Sequence, residues 1–185
     1  MPITSYTAGQ ILTAASLNGN FGTTVALVKS QTIGTTVASV TVTDAFNSTY
    51  DNYFITISGG VGSASAGVNL TFGATATGYY WAANYAQYNT ATGGFFNGNN
   101  DTKFGECCYM STAAISLGVF VQNANLAKET LVRWQNAGAA TTTINLVTNG
   151  GGYINNTTQY TAFTLTPVSG TMTGGTIRVY GFANS

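Results

Sequence analysis

The sequence contains no histidine, and charged residues make up only 5% of its 185 positions. Without histidine the chain has no Ser-His-Asp or Cys-His nucleophile pair and no imidazole ligand for zinc or iron. The two cysteines, Cys107 and Cys108, are adjacent, which is neither a disulfide framework nor a four-thiolate zinc spacing within one chain. We therefore expect no catalytic residue, no cofactor and no metal site.

The shortage of charge itself needs a cause, because soluble domains average about 25% charged residues. No apolar run approaches the roughly 18 to 20 residues of a membrane-spanning helix, and the best, Ile115 to Val121, contains Ser116 and Gly118. The five basic residues are scattered and balanced by five acidic ones, so nucleic acid would find no basic patch. We expect neither membrane insertion nor nucleic-acid binding, and we expect a surface buried against other subunits, where charge is depleted.

Residues 1–30 predict a helical or extended N-terminal attachment arm. Thr13 is a candidate N-cap, and Val28 extends a series of apolar residues at spacings of four, four and three, which places them on one helical face. The first ten residues lack the charged start and apolar stretch of a signal peptide, which indicates synthesis in a cytoplasm. We expect the arm to dock on another protein through four residues: Leu12, Leu17, Phe21 and Val25.

Residues 31–185 read as one β-domain made of short strands separated by Gly, Asn and Ser clusters. The predicted strands are 36–42, 53–58, 68–73, 79–88, 113–122, 130–135, 142–148, 160–167 and 176–182. Glycine-rich turns are predicted at 59–60, 93–94, 149–152 and 174–175, and residues 89–103 are predicted to form a long polar loop. This cadence indicates an all-β fold, specifically a jelly-roll-like β-sandwich.

Aromatic residues cluster in the middle of the chain beside asparagine and glutamine. Aromatic faces stack on sugar rings, so five of them are candidate glycan contacts: Tyr80, Trp81, Tyr85, Phe95 and Phe96. The alternative, which we favour, is that they fill the core and a subunit interface, where aromatic residues are enriched. Trp134 and Tyr180 are expected in the core, whereas Arg133 and Arg178 should face away from it, towards solvent or another subunit.

Carboxylates offer the remaining route to catalysis, since two of them suffice to hydrolyse a glycosidic bond. Asp101 and Glu106 lie closest to the predicted polar loop and form the best candidate pair. The simpler interpretation is that both are solvated loop residues. We therefore expect a protein that is not an enzyme, with a polysaccharide depolymerase as the alternative that activity measurements on Asp101→Asn and Glu106→Gln would reveal.

Three stretches resemble structural proteins of bacteriophage particles. Residues 6–18 (YTAGQILTAASLN) are similar to the N-terminal segment of phage tail and tail-fibre proteins. Residues 160–182 (YTAFTLTPVSGTMTGGTIRVYGF) resemble the closing strands of virion surface proteins, including those of cyanophages. Residues 46–53 (FNSTYDNY) also resemble sequences of the same group.

The resemblance implies a homotrimeric virion component with a β-sandwich head that contacts other virion proteins. It implies a short tail fibre or tail component attached through the arm, because the chain has none of the shaft repeats of a long fibre. A capsid decoration (cement) protein and a receptor-recognition protein that binds a host surface glycan are the alternatives. The resemblance transfers no catalytic residue.

Overall fold

The computed structural model describes residues 24–138 and 146–184, and within these ranges the chain forms strands and turns without a helix. The strands are β1 Val25–Thr32, β2 Val40–Val42, β3 Tyr50–Ser58, β4 Val61–Gly62, β5 Ala66–Phe72, β6 Tyr79–Gln87, β7 Gly93–Asp101, β8 Phe104–Met110, β9 Ile115–Ser116, β10 Gly118–Gln122, β11 Thr130–Gly138, β12 Leu146–Ile154, β13 Phe163–Pro167, β14 Met172–Thr173 and β15 Thr176–Ala183. The predicted all-β class is confirmed. Within the described part, no segment has the helical length and hydropathy needed to span a membrane.

Two antiparallel sheets pack face to face as a β-sandwich. The large sheet has eight strands in the order β1-β15-β3-β10-β11-β12-β6-β7. The small sheet has five strands in the order β2-β13-β5-β8-β9, and β14 pairs with β4 at the side. Only one face of the large sheet lies against the small sheet, so its other face carries no layer of the described chain.

The core lies between the sheets and follows from strand alternation. In β11, Thr130, Val132 and Trp134 are buried, while Leu131 and Arg133 point to the opposite, exposed face. The largest fully buried side chains come from both sheets and from the connection between β2 and β3, and they include Tyr53, Tyr79, Phe46, Phe72, Phe104 and Phe163. Burying a side chain of this size contributes about 1.5 to 3 kcal/mol, so these rings dominate the stability of the sandwich.

The predicted glycine turn at 149–152 is wrong, because these residues lie inside β12. Gly150 and Gly152 face the core, where a Cβ on Gly150 would overlap the Trp134 indole and one on Gly152 would lie 2.7 Å from the Trp81 Cβ. These two glycines leave space for tryptophan side chains of the neighbouring strands and do not form a turn. The turn at Gly59-Gly60 is confirmed, with both residues at positive φ.

The predicted loop at 89–103 is wrong for most of its length, because β7 occupies Gly93–Asp101 and pairs with β6. Its asparagines and glycines have low intrinsic strand propensity. The ladder with β6 and the contact of Phe96 with the Trp81 ring, at a centroid distance of 5.9 Å, override that propensity. The strand β8 was likewise not predicted.

The N-terminal arm is described only from residue 24. Leu12, Leu17 and Phe21 lie outside the described residues, so their docking role stays a prediction. The prediction that Val25 and Val28 lie on one face of a helix is wrong. Both residues belong to β1, which pairs with β15 at the edge of the large sheet. The expected boundary near residue 30 therefore falls within a strand, because the backbone of β1 finds its hydrogen-bond partners in the sheet.

Candidate interaction surface

The exposed face of the large sheet, called here the outer face, is the most distinctive surface of the molecule. Strand register aligns its side chains in rows that run across the strands. The first row contains Val25, Phe182, Asn52, Gln122, Leu131, Tyr153 and Tyr80. The second row contains Leu27, Tyr180, Phe54, Phe120, Arg133, Gly151 and Ala82.

These two rows are largely apolar even though they face away from the core. Leu27 is 56% exposed, Phe120 49% and Leu131 40%. The Phe120 ring packs on Phe54 with centroids 4.6 Å apart, and Tyr80 stacks on Tyr153 at 5.3 Å. A contiguous exposed patch of this kind marks an interaction site in soluble proteins, whereas isolated exposed apolar residues do not.

Tyr180 corrects one expectation and Arg133 confirms another. Tyr180 shares the second row with Phe54 instead of entering the core, because strand alternation puts it on the same face as Arg178. Arg133 faces away from the core as predicted, in the middle of the second row. It is the one ionised side chain within the two rows.

A shallow depression of about 460 Å³ lies beside Arg133 on the outer face. Glu129, Leu131, Gly151 and Tyr153 line it together with Arg133. The depression exists because Gly151 projects no side chain between Arg133 and Ala82 in the second row. Two further depressions, of about 280 and 390 Å³, are lined by Phe120 and also by Arg133. The Arg133 side chain therefore lies between shallow depressions in a largely apolar surface.

The ten charged residues all lie in the described ranges, so their partners can be compared. Lys29 pairs with Asp44 at 3.5 Å and Lys103 with Asp101 at 3.7 Å. The Arg178 guanidinium donates to the Ser58 hydroxyl, and the Glu106 carboxylate accepts from the Tyr109 hydroxyl. Within the described part of the chain, four charged side chains have neither an ion pair nor a hydrogen bond: Asp51, Lys128, Glu129 and Arg133. Of these, Glu129 and Arg133 border the same depression.

The candidate glycan residues lie on both faces of the large sheet. Trp81, Tyr85 and Phe96 point towards the small sheet, and Trp81 also contacts Trp134 at a centroid distance of 6.2 Å. Tyr80 and Phe95 point to the outer face. The structure thus divides the five residues into an inner packing cluster and two outer residues, and they do not form one platform.

Phe95 is the most exposed of these aromatics, at 90%. It lies at the β7 edge of a third, polar row of the outer face, opposite Asn84, which pairs in turn with Asn149. An uncovered ring beside two amide side chains has the chemistry that sugar recognition uses, namely a stacking surface with hydrogen-bonding groups next to it.

The two candidate catalytic carboxylates each have their own partners. Asp101 accepts from the Trp81 Nε1 at 3.4 Å and from the Thr102 backbone N–H at 2.6 Å. Burial opposes ionisation of Asp101, but the Thr102 hydrogen bonds, the Trp81 hydrogen bond and the charge of Lys103 together lower its pKa. A lowered pKa is the reverse of what a general acid needs.

Glu106 lies in a β-bulge of β8 with a φ of 50°, and its carboxylate accepts the hydrogen bond from Tyr109. Burial and that hydrogen bond raise the pKa of Tyr109.

Within residues 24–138 and 146–184, no group of three cysteine or carboxylate side chains is arranged to hold a metal ion. Cys107 and Cys108 are free and fully buried, and burial raises the pKa of both thiols.

Sequence reasoning identified Arg133 but missed the rest of the outer face. A local signal of this face is present in the sequence of β11. In Leu131-Val132-Arg133, large or charged side chains occupy the positions on both faces of the strand. What was missing is the register that brings Phe120, Leu131 and Tyr153 together from three strands. No family model matches this sequence, and comparison with curated proteins and with solved structures gave no match.

Proposed function

We propose that this protein is a non-enzymatic, oligomeric structural component on the surface of a bacteriophage particle, a short tail fibre or tail component. The observation that carries the assembly role is the apolar outer face on a chain with only ten charged residues. Leaving such a face in water costs about 25 cal/mol for each Å² of apolar surface, so association stabilises the protein. The virion assignment rests on the resemblance of residues 6–18, 46–53 and 160–182.

We further propose that the sandwich is jelly-roll-like, that the residues before β1 act as an attachment arm, and that three copies assemble. The support for the first point is that the chain repeatedly crosses between the sheets. It passes from β3 in the large sheet to β5 in the small one, and from β6 and β7 to β8. The crossing recurs from β10, β11 and β12 to β13, and then to β15. The support for the arm is that β1, the strand that follows it in sequence, begins at Val25 and forms an edge of the large sheet.

Labelling of intact particles tests the virion role. Antibodies against the purified protein should bind the tail of particles made by the phage that encodes this chain. Uniform labelling of the head would instead favour a capsid decoration protein. Absence of the protein from purified particles, measured by mass spectrometry, would contradict both.

A second candidate function is recognition of a host surface glycan, and the exposed Phe95 ring favours it. The Asn84 and Asn149 amides on the neighbouring strands would then bind sugar hydroxyls. Phe95→Ala should abolish binding on a glycan array, while Tyr88→Ala, which removes another exposed ring outside the strands, should not. Wild-type protein that binds no saccharide at millimolar concentration would rule this function out.

A further inference from the structure

We propose that a second copy of this chain covers the outer face, and that Arg133 of one copy pairs with Glu129 of the next. This inference rests on the proposed oligomeric function and names the surface and the contact that the function leaves open. It follows from three features of the face: its apolar rows, its extent and its two unpaired charges.

The two charges cannot satisfy each other within one copy. Glu129 precedes β11 and continues its alternation, so Glu129, Leu131 and Arg133 lie on the same face. Four residues along a strand span about 13 Å, too far for a direct ion pair between side chains that leave the same face side by side. Within one copy both side chains are therefore exposed and without an ionic partner, and a second copy can bring an opposite charge to each.

A second copy supplies both partners at the required spacing. When two outer faces meet with β11 running in opposite directions, each Glu129 lies over the other copy's Arg133. When three copies form a ring about an axis that crosses the strands near Leu131, Glu129 of each copy meets Arg133 of the next. The same ion pair therefore occurs twice in a two-fold dimer or three times in a trimer. Leu131 lies between Glu129 and Arg133 on the same face and supplies an apolar contact.

The extent of the face suits a stable contact between copies. Eight strands spaced about 4.8 Å apart, with about eight residues each at 3.3 Å, give a face of about 1,000 Å². Stable protein interfaces bury about 800 Å² on each partner, so a full face-to-face contact is of the ordinary size. The two apolar rows, which are rich in aromatic residues and contain Arg133 as their one ionised side chain, match the residues enriched at the centre of such interfaces.

A charge swap tests this contact. We expect Arg133→Glu and Glu129→Arg each to raise the dissociation constant of the oligomer at least about tenfold, because each places like charges together. The double variant Glu129→Arg/Arg133→Glu restores opposite charges and should recover most of the lost affinity. Sedimentation velocity over a concentration series measures all four proteins, and the melting temperature checks that each remains folded.

Lys128→Glu is the matched control for Arg133→Glu, because it makes the same change in net charge at an exposed residue next to Glu129 that does not line the depression. We expect it to leave the dissociation constant unchanged. If the single swaps and the control behave alike, or if the double variant is as weak as the singles, the proposed contact is wrong while the oligomeric function stands. A wild-type monomer would instead overturn the proposed function itself.

Discussion

At the scale of single residues, the molecule depends on side chains whose role is set by a partner far away in sequence. Gly150 is needed because the Trp134 indole occupies the space that any side chain would take. Gly151, its neighbour, faces the other way and opens the depression beside Arg133. The two adjacent glycines therefore have separate roles. Gly150 leaves space in the core for the Trp134 ring, and Gly151 leaves a depression on the outer face.

Gly150→Ala should destabilise the fold by about 1 to 3 kcal/mol, the usual cost of overpacking a filled core. The added methyl group would overlap the Trp134 ring and approach the Ala83 Cβ to 2.7 Å. Chemical denaturation measures the loss. Gly151→Ala is the control, since its Cβ would meet nothing closer than the Val132 carbonyl oxygen at 3.1 Å, and an equal loss in both variants would contradict the packing argument.

Tyr79 should make the fold sensitive to alkali. Burial raises the pKa of Tyr79 to about 12, while its hydroxyl accepts from the Phe72 N–H at 2.9 Å. Between pH 10 and 12 the unfolded chain loses this proton and the folded protein keeps it, so stability falls as pH rises, by at most about 1.4 kcal/mol per pH unit for each such group.

Urea unfolding at a series of pH values from 9 to 12 measures that slope. Tyr53 and Tyr109, whose pKa values are also raised by burial, contribute to the same decline. Tyr79→Phe should flatten the slope without removing it. An unchanged slope in the variant would show that Tyr79 does not titrate differently in the folded and unfolded states.

At the scale of elements, the two edge strands of the large sheet present different side chains on the outer face. β1 closes the sheet beside β15 and carries Val25 and Leu27 onto the outer face. β7 closes the opposite edge and presents Phe95. The edge at β1 thus extends the apolar rows, whereas the edge at β7 ends in polar residues and an exposed ring.

A chain that begins at residue 33 should melt several degrees below one that begins at residue 24. The shorter chain lacks β1 and leaves the backbone groups of β15 without their antiparallel partner along one edge. A chain of this size loses about 2 to 4 °C in melting temperature for each kcal/mol. Equal melting temperatures in calorimetry would mean that β1 contributes nothing to the fold.

Strand alternation allowed some elements to be predicted from sequence and hid others. Residues 53–58 and 130–135 alternate between buried and exposed positions, and they lie in β3 and β11. β8 is buried at nearly every position, so it has no alternation to detect. The outer face could not be predicted because its rows depend on register between strands as distant as β3 and β15, which local pattern does not contain.

At the scale of the whole molecule, we propose one explanation for the low charge and the uncovered sheet face, which is contact with other subunits. The sandwich already has its core between the two sheets, so the apolar rows of the outer face stay partly exposed to water in a lone copy. Under this proposal, residues such as Phe120 and Leu131 stabilise the assembly because water is excluded from them there. Phage location, trimeric state and the arm remain proposals that follow from the resemblance.

The mass of the native protein in solution tests this account most directly. Sedimentation equilibrium or light scattering, from micromolar to nanomolar concentration, should give a stable oligomer, with three copies of the 19.1 kDa chain as the expected state. Phe120→Asp should shift that oligomer towards monomer at an unchanged fold, because it places a charge in the second row. A wild-type protein that sediments as a monomer of 19.1 kDa at every concentration would contradict the account.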